Sequence, residues 1–177
     1  MPTIEDVSCD KATYRPSEAA YVTVAMANEQ DADFAGSLVL TVTHLDRTIM
    51  RLEQAVAIAA SGNRAATFSV EPPADSFRGY GLDAALYAGG DELIAEGSGA
   101  FDVLARWSDA PRYGFLADFA PGQSDVAARC DRLARYHLNV VQFYDWMWRH
   151  YQLLPPQDDF SDALGRQLSL GVVREAI

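Results

Sequence analysis

The feature that most constrains this chain is an alternation of apolar and polar residues that recurs through its first hundred positions and then stops. Val22, Val24 and Met26 fall on one side of an extended chain, and Tyr21, Thr23 and Ala25 on the other. The same pattern sets Leu38, Leu40 and Val42 against Val39, Thr41 and Thr43. Ala66, Phe68 and Val70 repeat it, as do Tyr80, Leu82, Ala84 and Leu86. Period two marks half-buried strands, whose apolar side must meet another layer. Turn residues punctuate the runs at Arg15-Pro16-Ser17, Ser61-Gly62-Asn63, Pro72-Pro73 and Gly89-Gly90-Asp91. About seven short strands at this spacing predict an immunoglobulin-like antiparallel β-sandwich. The Cys…Trp…Cys signature of antibody domains is absent.

Charge changes where the alternation stops. Residues 1–104 carry 16 acidic and 6 basic side chains, residues 105–177 carry 9 and 8, and all three tryptophans lie in the second part. This places a domain boundary near residue 105, with a sandwich over 1–105 and a second domain over 106–177. No Gly/Ser linker separates them. The net charge of −11 argues against nucleic acid or an anionic membrane surface as partner. No apolar run approaches the ~18 residues needed to span a membrane. Met1 to Asp6 is acidic, without the basic and apolar regions of a secretory leader. The compartment stays open. Cys9 and Cys130 form no CxxC and no Cys/His cluster, so free, buried thiols are expected. Neither a metal site nor a cofactor site is read, and no obligate protein partner.

The stretch Asp10-Lys11-Ala12-Thr13-Tyr14-Arg15-Pro16-Ser17-Glu18 resembles the D-K-x-x-Y-x-P-G-E entry into the second strand of many bacterial accessory sandwich domains, with Ser17 where Gly is usual. Such a domain acts as a platform, or binds sugar through exposed aromatic rings. Tyr14, Tyr21, Tyr80 and Tyr87 are the tyrosine candidates, and they are not grouped.

The second part reads differently. Tyr113 to Asp118 is a short, nearly continuous apolar run, suited to a strand buried on both faces. Ser124 is placed to cap a helix, with Asp125 in its first turn. Val126, Cys130, Leu133, Ala134 and His137 follow helical spacing, and Asp125/Arg129 and Asp131/Arg135 are i,i+4 pairs. Asn139 to Tyr144 is a second strand. Strand, helix and strand in about 30 residues predict a parallel βαβ unit. A long loop runs from Asp145 to about Leu168, and Leu170, Val173 and Ile177 open a second helix capped by Ser169. This is the opening of an α/β barrel, but 177 residues are too few for a full (β/α)8 barrel of about 250. In such barrels the working residues sit at the carboxyl ends of strands, here Asp118-Phe119 and Tyr144-Asp145-Trp146. Carboxylates accept hydrogen bonds from vicinal hydroxyls, and aromatic rings stack on pyranose faces. The same residues also serve as loop caps and core.

Arg112-Tyr113-Gly114-Phe115-Leu116-Ala117-Asp118-Phe119, the long string His137 to His150 with its Gln142-Phe143-Tyr144-Asp145-Trp146-Met147-Trp148-Arg149-His150 core, Leu154-Pro155-Pro156 and Leu164-Gly165-Arg166 together resemble glycoside hydrolase family 66. These are endo-dextranases and cycloisomaltooligosaccharide glucanotransferases. The resemblance implies an immunoglobulin-like domain before a TIM-type catalytic barrel, truncated here. It implies cleavage of α-1,6-linked glucan with retention, by an Asp nucleophile and a Glu acid/base on later strands. Retention places those carboxyls about 5–5.5 Å apart. On this reading the chain holds no catalytic residue and is inactive alone. Asp118, Tyr144, Asp145, Trp146 and His150 would line the glucose-binding end, Arg166 would be structural, and the partner would be an α-glucan polysaccharide or oligosaccharide. The alternatives are a stand-alone carbohydrate-binding or adhesion module and a cyclising glucanotransferase of the same family.

Overall fold

In the computed structural model the alternating runs become strands whose apolar sides share one core. The described residues are 1–177 without Ala74, Ser76 and Asp91, so the third residue of the Gly89-Gly90-Asp91 turn lies outside them. Two compact units form, Met1–Ala110 and Pro111–Ile177.

The first unit consists of β1 (Pro2–Cys9), β2 (Thr13–Tyr14), β3 (Ala20–Asn28), β4 (Phe34–His44), β5 (Arg47–Ile58), β6 (Gly62–Val70), β7 (Arg78–Ala88) and β8 (Glu92–Val103). They make two sheets, ordered β1-β3-β6 and β2-β8-β7-β4-β5. Every pairing is antiparallel except the two-residue β2, which runs parallel to β8. Val22, Val24 and Met26 of the first sheet meet Leu38, Leu40, Val42, Leu82 and Leu86 of the second in one buried cluster. Each such side chain contributes about 1.5–3 kcal/mol on leaving water. Tyr14 and Tyr80 belong to this core. Phe101 meets Tyr14 edge-on at 5.5 Å and stacks on Tyr80 at 5.2 Å. Neither ring is available as a sugar platform.

Three long strands escaped the alternation test for physical reasons. A register shift between Ile4 and Asp6 breaks the period in β1. Inward-facing Gln54 interrupts β5. In β8, Gly97 and Gly99 read as loop residues, but β1 crosses them closely. A Cβ on Gly97 would lie 2.6 Å from the Ile4 side chain, and one on Gly99 would run into the Val7 carbonyl oxygen. The first unit ends at Ala110, just after a three-residue 3-10 turn (Trp107–Asp109) and five residues past the composition shift.

The second unit begins with β9 (Tyr113–Leu116), α1 (Val126–Arg135) and β10 (Val140–Phe143), and the two strands are parallel. Gly114 and Leu116 turn to the buried side and Tyr113 and Phe115 to the open side. The cap of α1 falls one residue later than Ser124, on Asp125, and no side-chain bond closes it. Arg129 reaches back to the carbonyls of Ala117 and Asp118. The expected loop after β10 contains a hairpin, β11 (Asp159–Ser161) and β12 (Gln167–Ser169). Strands of three residues are too short to show a period. Ser169 precedes α2 (Leu170–Glu175) as expected, though its side chain makes no capping bond, and Ile177 lies exposed beyond the helix. Leu116, Phe119, Val126, Phe160, Leu168 and Val173 form the buried core.

The chain is thus mostly β-structure in several sheets. Both cysteines are free and half-buried rather than buried. Burial, helped by the Asp10 charge and opposed by a hydrogen bond with Tyr14, pushes the Cys9 thiol up to about 11.

Candidate functional site

Parallel strands in register bring their carboxyl ends to one edge. Phe143 of β10 lies opposite Leu116 of β9, and the Tyr144 amide donates to the Leu116 carbonyl at 2.8 Å. Two residues beyond each strand stands an aspartate, Asp118 and Asp145, and both adopt the left-handed conformation, with φ of 66° and 54°. Side chains other than glycine rarely do so, and Asp tolerates it better than most. The chain therefore turns sharply at the same place on both strands.

The two aspartates then differ. Asp118 is exposed, and its carbonyl, not its carboxylate, is held by Arg129 at 2.8 Å. The Asp145 carboxylate accepts a bond from Arg166 Nη1 at 2.9 Å. Arg166 also donates to Asp162 through Nε at 2.7 Å and Nη2 at 2.5 Å. Asp162 is buried in the turn between β11 and β12, where the amides of Leu164 and Arg166 donate to its other oxygen at 2.9 and 2.8 Å. Gly165, at φ 80°, lets the turn close. Burial acts to raise the Asp162 carboxyl. The amide and guanidinium of Arg166 and the amide of Leu164 outweigh it and hold the group below the ordinary carboxylate range.

Around this clamp lies a cleft of about 90 Å³ lined by Asp145, Trp148, His150, Asp162 and Arg166. Arg149 stacks over Trp148 at 4.8 Å and donates to the Ser161 carbonyl at 3.1 Å, tying the post-β10 loop to the hairpin. Of the five residues singled out in the sequence, the cleft gathers Asp145 and His150. Asp118 stands outside it. Tyr144 turns to the open face of the sheet, edge-on to Phe115 at 5.9 Å. Trp146 packs half-buried against the core. Arg166, set aside as structural, and Asp162, which was not singled out, complete the cleft. The signal for them is the short Asp-Ala-Leu-Gly-Arg turn, but its link to Asp145 spans 21 residues.

Chemically the cleft offers a carboxylate, a guanidinium and an imidazole, a set suited to hydrogen-bonding hydroxyls. It does not offer acid–base catalysis by two carboxyls. A retaining glycosidase needs one of its pair protonated, whereas Arg166 holds Asp162 ionised. The volume is also below the ~300–1,000 Å³ of pockets that enclose a ligand.

Two curated relatives, both cycloisomaltooligosaccharide glucanotransferases from Niallia circulans, are 33% identical over 85% of this chain and 30% identical over 98%. The chain spans 15% and 18% of their lengths. Among solved structures, a Paenibacillus sp. cycloisomaltooligosaccharide glucanotransferase in complex with cycloisomaltoheptaose matches with a TM-score of 0.91 and 29% identity. That match covers 100% of this chain and 26% of the other. A β-glucuronidase from Bacteroides uniformis shares fold alone, with a TM-score of 0.50 and 11% identity over 58% of this chain. The model of glycosyl hydrolase family 66 matches residues 9–177. With nearly every residue inside that match, from the entry to β2 through the Arg166 clamp to α2, the chain belongs to glycosyl hydrolase family 66.

Proposed function

We propose that this chain is the amino-terminal region of a retaining enzyme acting on α-1,6-linked glucan. In this reading residues 1–105 are an immunoglobulin-like platform and residues 106–177 the opening of a TIM-type barrel. The cleft at the end of β10 contributes binding contacts to the glucan end of the barrel. The nucleophile and acid/base lie outside this chain. The observation that supports this most is the match, along the whole chain, to a glucanotransferase crystallised with a cyclic glucan. The Asp145–Arg166–Asp162 clamp supports it further, since it builds a braced polar rim suited to hydroxyls.

Two reactions fit. Hydrolysis gives linear isomalto-oligosaccharides, and intramolecular transglycosylation gives cyclic ones. The names of the curated relatives favour the second. Dextran digested by the complete gene product and resolved by mass spectrometry separates them, because each cyclic product is lighter by one water. The 177-residue chain alone is expected to release no sugar. Turnover by it at a rate comparable with an intact family member would sink the reading.

A further inference from the structure

The sandwich carries a groove with no part in the cleft above. It measures about 870 Å³, and its walls are the Lys11–Glu18 loop and the Leu104–Ser108 segment, both within the first unit. One wall is the entry motif noted in the sequence. The other presents Trp107, 64% exposed.

The walls are fixed to each other. β2 pairs with the end of β8, Tyr14 opposite Val103, and the Leu104 amide donates to the Tyr14 carbonyl at 2.8 Å. Each wall is also braced internally. Glu18 accepts the Arg15 amide at 2.8 Å and pairs with Lys11. Asp109 accepts the Arg106 amide at 2.9 Å and its Nε at 3.2 Å, locking the turn that carries Trp107. Across the groove the Arg15 guanidinium makes no hydrogen bond among the described residues. Glu18 offsets Lys11 and Asp109 offsets Arg106, so the Arg15 guanidinium leaves the groove modestly positive.

An exposed indole held on a braced turn, in one groove with fixed donors and a carboxylate acceptor, suits a ligand with an apolar face and a rim of hydroxyls. We propose that this groove is a sugar-binding site, separate from the barrel end. A pyranose ring of the glucan stacks on Trp107, and Arg15, Lys11 and Glu18 bond its hydroxyls. The choice of α-1,6-glucan as ligand rests on the function proposed above, whereas the site itself rests on the groove.

Titration of the isotope-labelled 177-residue chain with isomaltoheptaose, followed by amide NMR, tests both. Maltoheptaose serves as linkage control, and Trp107→Ala and Arg15→Ala as variants. Shifts are expected to cluster at Lys11–Glu18 and Leu104–Ser108. Trp107→Ala, with an otherwise preserved spectrum, is expected to bind roughly tenfold or more weakly, as loss of a tryptophan anchor does. Arg15→Ala should weaken binding less and leave the fold untouched, which separates lost contact from lost structure. Binding of both glucans at these residues would uphold the site and count against α-1,6 selectivity. Shifts confined to other residues, unchanged affinity of Trp107→Ala, or no binding of either glucan would overturn the site and leave the family assignment standing.

Discussion

Ser17 sits at φ 65°, at the position of the entry motif where the sequence reading expects glycine. A left-handed backbone costs a side-chain-bearing residue roughly 1–2 kcal/mol, and glycine returns part of that by its freedom when unfolded. Ser17→Gly is expected to stabilise the first unit by about 0.5–1 kcal/mol, read as a higher denaturant midpoint at constant slope. Asp162 gives a second test. Its folded carboxyl binds a proton less tightly than the unfolded one, whose pKa is about 3.9. Its stabilisation is complete above that value and fades as pH falls through the lower folded value. Asp162→Asn should therefore cost about 1–3 kcal/mol at neutral pH and flatten the acid limb of a stability–pH curve. An acid limb identical to wild type would refute the clamp. Both effects were partly visible in the sequence. The motif marked position 17, strand-end logic marked Asp145, and the family resemblance marked His150. Arg166 and Asp162 stayed hidden because the hydrogen bonds that give them meaning join segments far apart in the chain.

At the level of elements, β3, β4, β6 and β7 were readable because apolar side chains fill alternate, core-facing positions along each of them. The others were masked by a register shift in β1, an inward Gln54 in β5 and the glycines of β8. The glycines of β8 are the sharpest case, since what reads as a weak strand is the place where β1 comes close enough to exclude a Cβ. Gly99→Ala is expected to destabilise the first unit by about 1–3 kcal/mol, the usual cost of overpacking. Gly89→Ala, which meets nothing within 4 Å, should stay within about 0.5 kcal/mol of wild type. Equal unfolding midpoints for the two variants would contradict the close crossing. The βαβ unit was readable from its two apolar runs and its helical spacing. The β11–β12 hairpin was not, because only Phe160 and Leu168 pair as apolar partners across it.

The two units of the whole molecule differ in how much they bury. The first has a cluster filled from both faces of a sandwich, and the second a smaller one in 67 residues, the size range where a core alone is marginal. Hydrogen exchange is expected to show the amides of β9, β10 and α1 opening at lower free energy than those of β3, β4 and β7. Equal protection would mean that the second unit draws stability from more than its own core. The open face of its sheet carries a further consequence. Tyr113, Phe115 and Tyr144 lie there half-exposed, each ring set edge-on to the next. Nearly all the surplus negative charge sits in residues 1–104, so this patch has little electrostatic shielding of its own. Added salt should screen the repulsion between sandwiches and leave the aromatic rings as the dominant surface. Light scattering should then rise with ionic strength and protein concentration, so the shelf life of a solution of this chain is set by its colloidal behaviour before any bond in its core gives way.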